Sequence, residues 1–170
     1  MIITAGIYKG RKMSVPDEKI TRPTLSKVRM GVFNALYSLL GDFENKTFLD
    51  VFGGSGIMGL EALSRGFKCV KVIEKNFHAV KIIKKNYESL GLIPELQVGD
   101  SLKILKQNCS KYDVVYIDPP YQSEIYDSVV EIAENIGKVI VVEHSNELSY
   151  SGTRTIKTKD YGGKKVSFLY

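Results

Sequence analysis

The stretch LDVFGGSGIMGLEA, residues Leu49–Ala62, decides the fold that this sequence predicts. It passes from an apolar run through a cluster of glycines into a segment typical of a helix. Gly54, Gly56 and Gly59 match G-x-G-x-x-G, a spacing that lets the backbone turn sharply and approach a ligand closely. Glu74 ends the next apolar run, twenty residues after Gly54, where an acid can hold the hydroxyls of a ribose. The pattern therefore predicts a site for an adenosine-containing cofactor.

Short apolar runs alternate with helical patterns on both sides of this loop. The runs TFLDVF, CVKVIE, ELQVGD, YDVVYID and KVIVVEH are rich in Val and Ile, and helical stretches are predicted over 57–65, 76–90, 101–108 and 124–135. The alternation predicts an α/β fold with a doubly wound, mostly parallel sheet covered on both faces. The tail TRTIKTKDYGGKKVSFLY predicts an antiparallel C-terminal hairpin that turns at two glycines and completes seven strands.

The first residues differ from this regular body. Residues 2–15 predict a small basic N-terminal β-hairpin around the turn YKGR, and Thr24 or Ser26 can cap the helix that follows. We expect a single domain over 1–170, in which 1–23 form the hairpin and its connector and 24–170 form the catalytic core. The hairpin is expected to be an appendage to that core.

Charge is concentrated in the same region. Residues 1–29 hold seven basic and two acidic residues, a net +5 that equals the net charge of the whole chain, so residues 30–170 balance at 17 basic and 17 acidic. A neutral body with a basic front end indicates a polyanionic partner, although a solvated basic hairpin has the same composition. Within this segment Lys9, Arg11 and Lys12 are the candidate phosphate contacts.

Other function classes find little support in the composition. The chain is 44% hydrophobic, and its apolar runs fall short of the ~20 residues that cross a bilayer, so a cytoplasmic protein without membrane contact is expected. Cys69 and Cys109 form no CxxC pair, and His78 and His144 have no ligand spacing around them. We expect reduced thiols and no metal.

The acids around the glycine loop distinguish between possible cofactors. Asp50 lies just before the loop, where a carboxylate would repel a pyrophosphate but attract the ammonium of S-adenosylmethionine. Asp100 ends the third predicted strand and could accept a hydrogen bond from an adenine amine. These positions favour the methyl donor over a nicotinamide dinucleotide, and the chain lacks the substrate domain that dehydrogenases usually add.

The segment IDPPY, residues 117–121, follows the fourth predicted strand, which neighbours the first in a doubly wound order. An amine conjugated to a base ring is a poor nucleophile because its lone pair is delocalised. Asp118 and the Pro119 carbonyl could each accept an N–H bond, so that the nitrogen becomes able to attack a methyl group, and Asp118 would offset the developing positive charge. Pro120 stiffens this platform, and Tyr121 offers a face on which an unstacked base can lie.

Taken together, the motifs resemble those of one known family. TRPT, KVRMGVFNAL, LDVFGGSGIMGLEALSRG, VIEKN, GD, YDVVYIDPPY and YGGKKVSFLY occur in the expected order over almost the whole chain. They are similar to the bacterial RsmD-type 16S ribosomal RNA methyltransferases, which act on the N2 amine of guanine 966. The resemblance implies a Rossmann-like class I fold that uses S-adenosylmethionine and forms S-adenosylhomocysteine. It also implies a substrate of 16S rRNA in the assembled small subunit, with ribosomal proteins near the target base and the enzyme as a monomer.

The resemblance also implies roles for individual positions. The donor site would comprise Asp50, Phe52, Gly53, Gly54, Ser55, Gly56, Glu74 and Asp100; the amine site Asp118, Pro119, Pro120 and Tyr121; and the RNA-entry rim Arg22, Thr24 and Arg29. Two positions depart from the family pattern. Met30 replaces the acid that usually follows the arginine, which removes a charge beside Arg29, and Gly53 replaces a common alanine, a change expected to be harmless.

Two other functions remain open at this point. One is methylation of another planar amine, such as adenine N6 in DNA or RNA or a protein glutamine, although those enzymes more often carry Asn before Pro-Pro. The other is a binding module without catalysis that acts in assembly, which the intact acids and DPPY disfavour. A nicotinamide-dependent dehydrogenase is a more distant alternative.

Overall fold

The computed structural model of this protein describes residues 1–16, 25–119, 125–145, 148 and 150–170. Five helices lie within these residues: α1 Ser26–Leu40, α2 Ile57–Ser64, α3 Phe77–Glu88, α4 Ser101–Gln107 and α5 Tyr126–Ile136. The strands there are β1 Thr47–Asp50, β2 Cys69–Glu74, β3 Glu95–Val98, β4 Tyr112–Ile117, β5 Gly137–His144, β6 Ile156–Asp160 and β7 Lys165–Leu169. The predicted alternation of strands and helices is thus confirmed.

All of these strands belong to one sheet, in the order β3-β2-β1-β4-β5-β7-β6. Strands β1 to β5 are parallel, and β7 pairs antiparallel with both β5 and β6. The predicted doubly wound sheet with an antiparallel C-terminal hairpin is confirmed. The chain reverses its direction of winding between β1 and β4, and ligands of open α/β sheets bind at such a point, beyond the carboxyl ends of the strands.

Side chains of successive strand residues enter two separate cores. Phe48 packs with α1, α2 and α3 on one face of the sheet, whereas Leu49 packs with α4 and α5 on the other. The same alternation recurs along β4, because neighbouring residues of a strand point to opposite faces. Both faces of the central strands are therefore buried, which explains why β4 and β5 are rich in Val and Ile.

The N-terminal segment forms a tight antiparallel loop with a single bridge, Ile2 to Lys12, in place of two regular strands. It is no appendage, and that expectation is wrong. Ile3 and Met13 are buried in the core that contains α1 and α2. The Ser64 hydroxyl donates to the Ala5 carbonyl at 2.6 Å, which ties the loop to the end of α2. Apolar burial and hydrogen bonds together make this segment part of the domain.

Helix starts near the site are capped by side chains that lie two residues after the preceding strands. Asn76 accepts from the backbone of α3, and Asp100 accepts from the Lys103 N–H at the start of α4. Helix α1 has no such cap: it begins at Ser26 after Leu25, and Thr24 lies outside the described residues. No helix in the described part of the chain is long and apolar enough to span a membrane.

Candidate active site

The glycine loop runs from the end of β1 into α2. Gly54 and Gly56 have φ angles of 56° and 76°, which L side chains rarely adopt, and the Gly56 N–H donates to the Gly53 carbonyl at 2.7 Å. A Cβ on Gly53 would lie 2.3 Å from Val72 Cγ1. Glycine at this position is therefore required by the packing of β2, and it is more than a harmless departure from the family pattern.

Glu74 is held in place beneath this loop. Its Oε2 accepts from the Gly54 N–H at 2.8 Å, and its Oε1 accepts from the Asn76 N–H at 2.7 Å. Each carboxylate oxygen has capacity for a further hydrogen bond. The carboxylate at the end of β2 is thus fixed by the backbone and still able to accept from a ligand hydroxyl.

Asp50 ends β1 and is only 1% exposed. Its Oδ1 has no hydrogen-bond partner among the described residues. Burial raises the pKa of Asp50 to about 8, with further contributions from the charges of Asp118 and Glu74, while backbone N–H groups of Phe52 and Gly59 oppose the shift. A buried carboxylate with an unpartnered oxygen is costly, and a ligand cation would relieve that cost.

The register of the sheet explains why these three acids interact. Asp50 pairs with Val72 on β2 and with Tyr116 on β4. Glu74 and Asp118 each lie two residues beyond those partners, so they flank Asp50 at the same edge. The sequence-predicted acids of strands one, two and four are therefore brought together.

The remaining predicted donor residues surround this edge. Ser55 is buried, and its carbonyl accepts from Asn86 Nδ2 at 2.9 Å. Phe52 is half-buried against the core of α4 and α5. Asp100 is exposed where it caps α4, at the rim of the edge. The placement agrees with the predicted donor site, whose ligand contacts stay a prediction.

The predicted amine site is described in part. Asp118 follows β4 and is half-buried, and Pro119 is buried. Lys164 Nζ lies 3.4 Å from Asp118 Oδ2. Pro120 and Tyr121 lie outside the described residues, so their predicted roles stay predictions.

Behind Asp118 lies a polar cluster that sequence reasoning missed. Lys164 also forms an ion pair with Glu143, which is fully buried on β5 and accepts from the Tyr116 hydroxyl. Burial and the charge of Glu143 raise the pKa of Tyr116 well above its usual value, so the phenol stays protonated and donates. A glutamate inside a Val-rich strand is the one sequence signal that could have pointed to this cluster, because a buried acid needs a cation.

The predicted RNA rim is only partly at the surface. Lys9, Arg11 and Lys12 are exposed on the N-terminal loop. Arg22 and Thr24 lie outside the described residues. Arg29 was expected at the rim, and the structure contradicts this: it is 0% exposed, and its Nε lies 3.2 Å from Glu61 Oε1.

The physical reason is that Arg29 holds the N-terminal loop against the helices. Its Nη2 donates to the Ile2 carbonyl at 2.7 Å, and Glu61 accepts from the Thr4 N–H at 2.7 Å. Met30, the next residue, faces outward at 48% exposure. The missing acid at position 30 therefore has no bearing on how Arg29 is paired.

No cluster of three or more His, Cys, Asp or Glu side chains suited to a metal occurs in the described ranges. Cys69 and Cys109 are free thiols.

Comparison with known proteins places the chain in a family. The chain matches the family described as Conserved hypothetical protein 95 over residues 1–170. The Ribosomal RNA small subunit methyltransferase D of Escherichia coli (strain K12) is 32% identical over 136 residues, which are 79% of this chain and 67% of that protein.

Solved structures show the same architecture. A methyltransferase from Escherichia coli is 25% identical and superposes with a TM-score of 0.84 over 99% of this chain and 96% of its own. A more distant methyltransferase, solved with S-adenosylhomocysteine, is 15% identical, with a TM-score of 0.63 over 84% of this chain and 48% of its own. The latter likeness concerns the fold alone.

Proposed function

Since this chain belongs to the RsmD-type family of ribosomal RNA methyltransferases, we propose that it transfers a methyl group from S-adenosylmethionine to the exocyclic N2 amine of a guanine in 16S rRNA. The observation that carries the proposal is the pair of acids at the switch point of the sheet. Asp50 has a buried oxygen unpartnered within the described residues, and Asp118 lies one strand away. On this proposal, a site for a cationic donor lies next to an acceptor for an amine.

The residues at the edge fit S-adenosylmethionine. Asp50 would hold the ammonium group, which suits a buried carboxylate that lacks a counterion among the described residues. Glu74 would accept from the ribose hydroxyls, and Asp100 from the adenine amine. When bound, this donor supplies an electrophilic methyl carbon on a sulfonium.

Asp118 would select and activate the acceptor base. Guanine presents two adjacent donors, N1–H and the N2 amine, and an ionised carboxylate is an acceptor at both oxygens. Adenine offers an N6 amine beside the acceptor N1, which a carboxylate would repel. The Pro119 carbonyl would take the second N–H of the amine, so the nitrogen lone pair becomes available for attack.

The negative charge of Asp118 would stabilise the transition state more than the bound substrate. Positive charge develops on the nitrogen as the new C–N bond forms and the bond from the methyl carbon to sulfur breaks, which would leave S-adenosylhomocysteine. A preorganised carboxylate stabilises that charge until the nitrogen loses a proton to solvent. Lys164, held by Glu143, keeps one oxygen of Asp118 in a fixed position. That contact uses one lone pair of Oδ2, so both oxygens of Asp118 can still accept from the base.

The proposed substrate is an unpaired guanine in the assembled small subunit, in the cytoplasm. Sequence-specific recognition of RNA mostly targets single-stranded loops whose bases can be turned out. Ribosomal proteins near the target would help to position the enzyme, which we expect to be a monomer. Tyr121 would stack on the extruded base.

Two measurements test this proposal. Mass spectrometry of 16S rRNA nucleosides from cells with and without the protein should show N2-methylguanosine lost from one site. Detection of N6-methyladenosine, or of label on protein in an assay with radioactive donor, would instead support the other planar amines.

A variant tests the role of Asp118. Asp118→Ala should leave the affinity for S-adenosylhomocysteine close to that of the wild type while transfer to small subunits is lost, because this carboxylate acts on the amine. Normal transfer by the variant would exclude the assigned role.

A further inference from the structure

The outer face of α3 carries an uncompensated group of lysines. Lys81, Lys84 and Lys85, here called the lysine ridge, are all exposed. Lys84 and Lys85 lie three and four residues after Lys81, on the next turn of the helix. None of them forms an ion pair with any residue that the structure describes. The single acid of this helix is Glu88.

Hydrogen bonds join this helix to the basic N-terminal loop. Arg11 Nη2 donates to the Ser89 carbonyl, just after α3, at 2.9 Å. Asn86, which is buried on the same helix, accepts from the Ser14 N–H at 2.8 Å and donates to the Ser14 carbonyl at 2.9 Å. The basic loop and the lysine ridge are therefore held in a fixed relation to each other.

The net charge of sequence segments does not reveal this arrangement. Residues 30–170 are neutral as a whole, yet in three dimensions the lysine ridge continues the positive charge of Lys9, Arg11 and Lys12. Basic residues outnumber the one acid, Glu88, along this stripe, and such a local excess attracts a polyanion more strongly than the net charge indicates.

The helix also leads from the loop to the candidate active site. Phe77, its first residue, follows β2 directly at the edge where Glu74 lies, and it is 76% exposed. Phe77 and Lys81 are four residues apart and so share a face of the helix. Exposed aromatic rings among cations are typical of surfaces that bind single-stranded RNA, because bases stack on the rings while phosphates meet the cations.

We propose that the lysine ridge and Phe77 extend the basic N-terminal loop into one continuous RNA-binding surface along α3. Lys81, Lys84 and Lys85 contact phosphates, and Phe77 stacks on an unpaired base near the donor site. This inference rests on the proposed function, because it takes RNA as the substrate. Asn86 Nδ2 also donates to the Ser55 carbonyl, so the surface is anchored directly to the glycine loop.

The test uses the full chain and a fluorescein-labelled RNA stem-loop with unpaired guanines in the loop. Anisotropy titrations over a range of KCl concentrations give the affinity and its salt dependence. Changing all three ridge lysines to Gln should reduce the slope of log K against log [salt] by about 2, since each phosphate contact on a single strand contributes about 0.7. The matched control changes three exposed lysines elsewhere, Lys68, Lys106 and Lys157, to Gln and should leave the slope unchanged.

A second pair of variants tests the aromatic contact. Phe77→Ala should weaken RNA binding about 5- to 150-fold, because stacking on one base contributes about 1–3 kcal/mol. Tyr37→Ala removes an exposed aromatic ring from α1 and should have no such effect. The affinity of every variant for S-adenosylhomocysteine shows whether the donor site remains intact.

The outcomes separate this inference from the proposed function. If the ridge variant keeps the wild-type slope while a Lys9, Arg11 and Lys12 variant flattens it, the surface ends at the loop and the inference is wrong, although RNA methylation stands. If Phe77→Ala binds RNA normally, the stacking contact is wrong. If the ridge and Phe77 effects appear but the wild-type protein methylates no rRNA, the surface stands and the proposed function fails.

Discussion

Replacement of Asp50 by Asn should stabilise this protein while removing its donor affinity. The carboxyl group is buried at the end of β1, and its pKa is raised to about 8 by burial and by the charges of Asp118 and Glu74. An acid whose pKa is raised on folding binds a proton more tightly in the native state. Its destabilising effect is therefore absent below the unfolded pKa of 3.8, grows as the pH rises, and is constant above about 8.

The size of this destabilisation follows from the difference between the folded and unfolded pKa values of Asp50. Each pH unit between the two pKa values removes about 1.4 kcal/mol of stability, so at pH 7 the carboxyl group costs the folded state about 4 kcal/mol. Asp50→Asn abolishes the titration. A buried amide has its own desolvation cost, but that cost does not change with pH.

The assay is therefore a comparison across pH. Urea denaturation of the wild type and of Asp50→Asn at pH 5 and pH 7 should show the variant gaining about 3 kcal/mol relative to the wild type between the two conditions. All other titrating groups are shared by the two proteins and cancel to first order. A stability difference that is the same at both pH values would refute the assignment of a protonated Asp50 at neutral pH.

Donor binding provides an independent readout of the same group. The carboxylate must be ionised to hold an ammonium, so wild-type affinity for S-adenosylhomocysteine should rise by nearly tenfold per pH unit between pH 6 and 7.5. The ligand's α-amino group belongs to a free amino acid, in which the neighbouring carboxylate favours the ammonium, so it stays protonated in that window. Isothermal titration calorimetry should show release of nearly one proton on binding, and Asp50→Asn should bind weakly with no such dependence.

Two further variants probe contacts that position the site. Gly53→Ala should lose about 1–3 kcal/mol of stability in urea denaturation because its Cβ would lie 2.3 Å from Val72 Cγ1, and the same change should cost less in a Val72→Ala background; a single variant as stable as the wild type would contradict this packing. Arg29→Met should lose about 3–5 kcal/mol of folding stability, because Glu61 would stay buried without one of its cations. Limited proteolysis of this variant should then cut the N-terminal loop. An intact loop and a small loss of stability would argue against the role of Arg29 as an anchor.

The fold could be predicted from the sequence because its signals are local. A helix predicted over 57–65 is found at Ile57–Ser64, and one predicted over 124–135 is found at Tyr126–Ile136 within the described residues. Apolar period and glycine position decide such elements within a few residues of chain. The acids at the strand ends follow from the same information, since the carboxyl ends of parallel strands share an edge.

The burial of Arg29 could not be predicted, because the distribution of charge along a sequence carries no information about which charged residues are buried. Arg29 and its partner Glu61 are 32 residues apart and lie on different helices. Counted as one of seven basic residues near the N-terminus, Arg29 looks like part of an RNA-binding segment. Only the packing of α1 against α2 shows that its charge is neutralised inside the protein, where it serves to hold the N-terminal loop.

The ion pairs around Asp118, at the centre of the site, also could not be predicted from the sequence. Lys164 is 46 residues away in the chain and reaches Asp118 through the pairing of β5 with β7, in which Glu143 lies opposite Val166. A shift of that register by one residue would turn β7 to the opposite face and separate the cation from both acids. The two glycines that precede Lys164 set the register of β7 against β6, because turn geometry sets the register of a hairpin. The register of β7 against β5, on which the electrostatics of the amine site depend, is not marked by any local turn in the sequence.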